Sequence, residues 1–502
     1  MPEAYTVIRS LEEFSAARKQ FNFLVSRLQS EEMGRMEHGE VEATIAHEGT
    51  ELLRRLLQGH LDVRAKAEER RVEVAGADGV LRRHCRASER GLMSLFGAVE
   101  VRRLGYGAPG RRSLCPLDAE LNVAPDRYTH GLRRRVSEEA AKSSFDETVW
   151  SVARTTGGHV PKRQAEEMVA RVAQDFEGFY QSREITVLED TPDPLIMSLD
   201  GKGIVMRREG LREATRKAAE REQHKMKTRL SAGEKRNRKR MATVATVYSV
   251  EPHRRTAETI MGVEEETEKA PKPRARNKRV WASVRRRAQA VTEEVFEEAL
   301  RRDPNQQRPW VMLVDGQPQQ LKDIEVCTTR HAVEVILILD FIHVLEYLWT
   351  AAFCFYAKGS EDAEAWVLER ALQILHGKAS DVAAGMRRSA TLRGLRRPTR
   401  EGVDACADYL LKYRHMLRYD EYLAQGLPIA TGVIEGACRY LIKDRMDITG
   451  ARWGLETAEA ILKLRSLRSS GDFDVYWEFH KTQELARNHT SRYECLPLQR
   501  AA

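Results

Sequence analysis

Three acids stand out by type and setting. Asp200 lies in LIMSLDGKGIVMR (195–207), with apolar residues on both sides and Gly201 directly after it. Asp315 closes the apolar run of WVMLVDGQ, again followed by Gly. Glu435 sits in TGVIEGACRYLIKDRM, with Gly436 directly after it and Gly432 three before. A carboxylate inside an apolar run is costly unless it is paired or binds a cation. Three that meet would repel one another, and hard oxygen donors of this kind suit Mg²⁺ or Mn²⁺. Two such ions about 4 Å apart activate a water or a 3′-hydroxyl against a phosphodiester. Chemistry of that kind needs no cysteine or serine nucleophile.

The acids lie far apart in sequence: 115 residues separate Asp200 from Asp315 (315 − 200) and 120 separate Asp315 from Glu435 (435 − 315). Only a fold can assemble them. LIMSLDG and GIVMR read as a hairpin turning at the Asp-Gly step, and MATVATVYSV (241–250) as a third strand rich in β-branched residues. SVRRRAQAVTEEVFEEALRR reads as a helix, PWVMLVDGQ as a fourth strand and VEVILILD as a fifth. That succession predicts a ribonuclease-H-like mixed five-stranded sheet, in which the first and fourth strands are neighbours. Residues 341–425 read as helix throughout, a helical insertion ahead of Glu435. The expected fold class is α+β and multidomain, with the catalytic domain in 190–345 and 426–470 and the insertion at 346–425.

Asp340, at the end of the fifth strand, competes with Asp315 as second ligand. It can equally cap the next helix, with His343 one turn on. Both are assigned a supporting role. Glu435 can instead pair with Arg439, four residues away.

The region before residue 190 is mostly helical. Residues 1–70 predict a helical hairpin, with Leu11, Phe14, Phe21, Leu24 and Leu28 on one face and Ile45, Leu52, Leu56 and Leu57 on another run. It either packs on the body or dimerises as a short coiled coil. Residues 71–128 predict a small β-hairpin module around Gly97. His84, Cys85 and Cys115 match no standard zinc spacing, so zinc is not expected. In 129–185, SFDETVWSVARTTGGHVPKRQAEEMVARV reads as two helices around a Gly-Gly turn, Asp146 capping the first and Pro161 opening the second. This is a helix-turn-helix pattern with Lys162 and Arg163 near the start of its second helix, although such a pair also serves plain helical packing. Residues 471–502 read as a C-terminal tail.

Charge points to a polyanion. Lys plus Arg number 83 against 75 for Asp plus Glu, a net charge of +8. The excess is clustered: residues 207–240 hold 14 Lys/Arg and 5 Asp/Glu. Lys235, Arg236, Arg238, Lys239 and Arg240 form one run, which reads either as a phosphate-contacting arm or as a solvated insertion. PKPRARNKR (271–279) forms a second. Arg439, Arg445 and Arg452 are further phosphate candidates, and Trp453 either stacks on an unpaired base or fills a core. Seven scattered cysteines and no 18-residue apolar run predict a cytoplasmic chain with reduced thiols rather than a secreted or membrane protein.

SLDGKGIVM, LVDGQ, DFIHVLEYLW and TGVIEGACRYLIKDRMDITGARW together resemble the DDE transposases of bacterial insertion sequences, most closely the Kra group and more distantly the ISL-type and Mutator-like enzymes. The resemblance spans roughly 190–470. It implies Asp200, Asp315 and Glu435 as a triad holding two Mg²⁺ or Mn²⁺ ions. It implies cleavage and strand transfer on double-stranded DNA, at terminal inverted repeats and target sites, by a homodimer or higher oligomer at the bacterial nucleoid. Many relatives have paired cysteines before PLD, where this chain has the single Cys115. A ribonuclease-H-like nuclease or resolvase that cuts without joining, and a non-catalytic DNA-binding derivative, are the competing readings.

Overall fold

A computed structural model describes residues 12–183, 191–221, 226, 238–264, 273–448 and 450–494. The chain forms two compact units: residues 1–182 with 472–502, and residues 183–471.

In the first unit, helices Ser15–Leu28 and His38–Lys66 form an antiparallel hairpin, tied by Gln20 Nε2 donating to Glu48 Oε2 at 2.7 Å. The longer helix lays Leu57 and Leu61 on Leu92, Val99, Val101 and Val123 of the next module. Leu24 is buried, but Phe21 is 55% exposed, so the expected apolar face is only partly covered. Strands His84–Ser94 and Gly97–Gly107 pair antiparallel along their whole length, Ser94 opposite Gly97.

Ser144, not Asp146, caps helix Phe145–Thr155, its Oγ accepting from Glu147 N at 3.1 Å. Ser144 stands one residue outside the first turn, where cap geometry requires the acceptor. Helix Lys162–Val172 follows, with Pro161 at its N-cap. The Gly157-Gly158 turn between them presses on the β-hairpin tip: Gly157 N donates to Leu95 O at 2.8 Å. A Cβ on Gly157 would lie 2.4 Å from the Phe96 carbonyl oxygen, so the glycine is there for close backbone approach. The segment read as a tail contains helix Phe473–Asn488, which buries Tyr476, Trp477, His480 and Glu484 within this unit.

The second unit is built on a five-stranded sheet: β1 Leu195–Val205, β2 Lys239–Ser249, β3 Arg276–Ser283, β4 Trp310–Val314 and β5 Ile336–Leu339, in the order β3-β2-β1-β4-β5. β1, β2 and β3 run antiparallel; β4 and β5 run parallel to β1. The sheet has five strands as expected, but two of them differ from the sequence reading. LIMSLDG and GIVMR are one strand, not a hairpin. Gly201, Lys202 and Gly203 stay extended opposite Thr243, Ala242 and Met241, and neither glycine takes a positive φ. The missing strand is β3, drawn from the end of the second basic run, and the helix expected from Ser283 begins at Ala288. β3 is legible as a strand only once Arg279 is seen to be buried: its Nη1 meets Glu298 at 2.5 Å, and Arg302 Nη2 meets the same carboxylate at 2.7 Å. β4 is wholly buried, as a parallel strand covered on both faces must be.

Between β5 and Glu435 the chain is helical: Phe341–Ala352, Glu361–Leu375, Ala379–Leu392, Glu401–Lys412 and Tyr419–Ala424. Among the described residues no helix is long and apolar enough to cross a membrane.

Candidate active site

The register of the parallel strands decides where the acids stand. Ser198 of β1 pairs with Leu313 of β4, and Val314 of β4 with Leu339 of β5. Carrying each register past the last paired residues sets Asp200 beside Asp315 (198 + 115 = 313, 200 + 115 = 315) and Asp315 beside Asp340 (314 + 25 = 339, 315 + 25 = 340). Three neighbouring strands thus each deliver an aspartate at one level of the sheet. This is the C-terminal edge of β4 and β5, where open α/β sheets carry their ligand sites.

Each acid has a different environment. Asp200 is half-buried; Gly201 N donates to its Oδ1 at 2.6 Å and the thiol of Cys438 to its Oδ2 at 3.0 Å. Asp315 lies one residue past β4 and is also half-buried, its Oδ1 accepting from Gln317 N at 2.9 Å. The backbone around it is clamped by the helical insertion: Tyr409 Oη donates to Asp315 O at 2.9 Å and Tyr413 Oη to Gly316 O at 2.5 Å. Gly316 takes φ +87°, a left-handed conformation that favours glycine. Gln320 Nε2 donates to Leu199 O at 2.8 Å, binding the helix after Asp315 to the strand that carries Asp200.

Asp340 is fully buried. It caps helix Phe341–Ala352, accepting from Ile342 N at 3.1 Å, and takes hydrogen bonds from Thr431 Oγ1 at 2.5 Å and His343 Nδ1 at 3.0 Å. Burial pushes its pKa up, but the His343, Thr431 and Ile342 donors outweigh burial and hold it below the usual range. The same pair lifts His343 to about 9, against burial and helped by the charges of Asp340, Glu346 and Asp315.

Glu435 is exposed on the short helix Gly432–Ala437, which packs against β1 and β2. Cys438 follows one turn later on the same face, at the start of a π-helical stretch, Cys438–Lys443. Residues three apart on a helix stand about 5–6 Å apart at Cβ, so the thiol that reaches Asp200 brings Glu435 to its side. The Cys438 pKa is raised by burial, then by Asp200, and further by the charge of Glu435, so both carboxylates act on one thiol. Arg439 does not pair with Glu435; it reaches Asp444 at 3.7 Å.

The three acids therefore share one neighbourhood without forming a ready-made ligand set. Among the described residues no group of three or more His, Cys, Asp and Glu could hold a metal ion as it stands. Mutual repulsion of carboxylates works against closer approach.

The basic residues divide by burial. Arg439, Arg452 and Lys239 are exposed. Lys162 and Arg163 are exposed but paired, with Asp146 at 2.6 Å and Glu167 at 3.2 Å, surface pairs weak enough to exchange for phosphate. Arg240 is half-buried and donates to the carbonyls of Val284 at 2.7 Å and Gly210 at 3.1 Å, which gives it a structural task. Arg238 is half-buried, and Lys235 and Arg236 lie outside the described residues. Arg445, a phosphate candidate, and Trp453, read as either a base-stacking or a core residue, are both buried; the guanidinium stacks 4.8 Å from the indole, whose Nε1 donates to Met446 O at 3.0 Å. Sequence reasoning passed over Cys438, Thr431, Tyr409 and Tyr413. Only the first two carried a signal, as small polar residues within four positions of Glu435.

No protein-family model matches this chain, and no curated protein matches it in sequence.

Proposed function

We propose that the chain is a DDE-type transposase of the Kra group, with a ribonuclease-H-like catalytic domain acting on the ends of an insertion sequence. The observation that carries the reading is the pair of links at Asp200: the strand register that sets it beside Asp315, and the Cys438 thiol that ties it to the helix of Glu435. The strand order β3-β2-β1-β4-β5, three antiparallel and two parallel to the centre, is the arrangement expected of such a sheet.

The donor set fits hard divalent cations. All three groups are carboxylates; Glu435 is exposed, and only one oxygen of Asp315 accepts a hydrogen bond among the described residues. Asp200, Asp315 and Glu435 would hold two Mg²⁺ or Mn²⁺ ions, which when bound would activate the attacking oxygen and stabilise the leaving one. The protein's own part is positioning. The Tyr409 and Tyr413 hydroxyls fix the backbone of Asp315, and the Asp340–Thr431 hydrogen bond fixes the start of the Glu435 helix. Lys162, Arg163, Arg439 and Arg452 offer charge to the DNA backbone. Water would free a 3′-hydroxyl at the element end, and that hydroxyl would attack target DNA, within a dimer or larger assembly in the bacterial cytoplasm.

The test is replacement of Asp200, Asp315 and Glu435 singly by Ala, with end cleavage, strand transfer from a precut end and end binding measured in Mg²⁺ and Mn²⁺. Cleavage and transfer are expected to vanish in each variant while binding persists. Normal cleavage by any one variant removes that residue from the triad. Cleavage by the unaltered chain without transfer makes it a nuclease, and binding without cleavage in either metal makes it a DNA-binding derivative.

A further inference from the structure

A concentration of positive charge lines one recess in the first unit. A cavity of about 570 Å³ there is lined by Arg86, Arg90, Arg103, Arg112, Arg487 and Arg492, with Asp118 as its one carboxylate. Like charges do not gather around a recess without cost, so each needs an account. Arg487 is neutralised from outside by Glu484, at 2.5 Å, and by Asp175. Arg90 donates to the carbonyls of Ala124 and Asp126, both at 2.7 Å. Arg103 is ion-paired with Asp118, Nε 2.8 Å from Oδ1, and donates to Val101 O at 3.2 Å; Arg90 reaches the other oxygen of Asp118 at 3.8 Å. Among the described residues the Arg492 side chain donates to the Ser113 carbonyl alone, at 3.1 Å. Arg86 and Arg112 are exposed at the rim and have no ion-pair partner among the described residues. Burial, and then the charge of Arg112, lower the pKa of Arg492, so the two guanidiniums repel one another at this recess.

Planar guanidinium forks match the oxygens of phosphate and carboxylate groups, and several converging on one recess suit the higher charge of a phosphate. The volume falls within the roughly 300–1,000 Å³ of small-ligand sites, far below what a duplex would need. We propose that this cavity binds a phosphate-bearing group of nucleotide size, held by Arg86, Arg112 and Arg492, with Arg103 behind them. The ligand is a free nucleotide or the phosphorylated end of a DNA strand. The inference does not rest on the transposase reading, because none of the three acids contributes to the cavity.

The experiment uses the full chain at constant ionic strength. Thermal shift and calorimetric titration are run with sodium pyrophosphate, a deoxynucleoside 5′-monophosphate, and one short single-stranded oligonucleotide with and without a 5′-phosphate. Pyrophosphate is expected to raise the melting temperature beyond a chloride control. The double variant R86Q/R112Q is expected to weaken binding about tenfold or more, through the loss of two solvent-screened charged donors. Both arginines are exposed, so the variant is expected to fold, which circular dichroism checks. R18Q/K19Q, which removes the same charge from an exposed helix face, is expected to leave binding unchanged. Preference for the 5′-phosphorylated oligonucleotide over its hydroxyl twin, lost in R86Q/R112Q, identifies a strand end. Binding confined to pyrophosphate and the mononucleotide identifies a free nucleotide. No shift with any probe, or equal binding by R86Q/R112Q and the unaltered chain, overturns the proposal.

Discussion

Replacing Asp340 tests how the site is held together, because its carboxylate joins three segments: the end of β5, the helix it caps, and the turn at Thr431 that starts the Glu435 helix. In Asp340→Ala the cap is lost, at about 1 kcal/mol. The Thr431 hydroxyl and the His343 ring lose charge-assisted partners, at about 1.5–3 kcal/mol each when fully buried. His343 is 38% exposed on its side chain, and solvent screening brings its share down to about 1 kcal/mol. The total is about 3.5–5 kcal/mol, within the range for breaking a buried charged network. Asp340→Asn keeps its one carbonyl oxygen for the cap and turns an amide N–H toward Thr431, whose hydroxyl can accept it, so it is expected to lose mainly the histidine pair, about 1 kcal/mol. That loss carries a pH signature. His343 titrates near 9 when folded against about 6.5 when free, so its contribution is whole below pH about 6.5 and fades as pH rises through 9. Asp340 is shifted down from 3.8, so its contribution is present above that value and fades as the solution becomes more acid. The stability gap between the unaltered chain and Asp340→Asn is therefore expected to be widest between about pH 4 and 6.5 and to narrow toward pH 9. Urea unfolding at pH 5.5, 7.5 and 9 reads it. A loss below about 1 kcal/mol in Asp340→Ala, or a gap that widens toward pH 9, would refute the reasoning.

Two further perturbations probe the frames of the two units. Gly157→Ala forces a methyl to 2.4 Å from the Phe96 carbonyl, backbone against backbone, and is expected to cost about 2–3 kcal/mol, whereas Gly49→Ala, within helix His38–Lys66 and with nothing within 4 Å, is expected to stabilise by about 0.5–1 kcal/mol. Thermal melts of both variants check the pair; similar melting temperatures would mean the turn is not pressed on the hairpin. Glu459 is buried and accepts from Ser283 Oγ at 2.7 Å, Val284 N at 2.9 Å and Arg285 N at 3.0 Å, so Glu459→Gln, which turns a donor toward donors, is expected to cost about 2–3 kcal/mol in urea unfolding.

How far the chain reads from its sequence depended on whether local pattern or distant partners set each residue's state. β2, β4 and β5 are apolar and β-branched enough to announce themselves, and with them came the succession that makes β1 and β4 neighbours. The Asp200-Gly201 step misled, because Asp-Gly is turn chemistry when nothing else acts on it. Here β2 offers eleven consecutive partners from Ser249 to Lys239, and pairing outweighs the turn preference. β3 was hidden for the opposite reason. RNKRVWAS looks solvated by charge, but Arg279 is neutralised by Glu298, a residue of the following helix, and stacks 4.4 Å from the Trp281 ring. A core place for Trp453 was one of the two readings its sequence allowed, but the burial of Arg445 against it was invisible, since a helical sequence cannot tell an arginine facing water from one facing an indole.

The choice between Asp315 and Asp340 as second ligand, open in the sequence, turns on competition for lone pairs. Both oxygens of Asp340 already accept from protein donors: Oδ1 from Ile342 N, Oδ2 from the Thr431 hydroxyl and the His343 ring. The group has no exposed surface, so a cation would have to displace the cap and the ring of the following helix and the hydroxyl of a distant turn. Asp315 would give up at most one backbone N–H, and its backbone is held by two tyrosine hydroxyls that leave the side chain alone. An acid spent on architecture and an acid kept accessible can follow one another at the same level of a sheet. The sequence marks both alike, because each is an aspartate ending an apolar strand. What separates them is Thr431, ninety-one residues beyond Asp340, and no local pattern reports a partner at that distance.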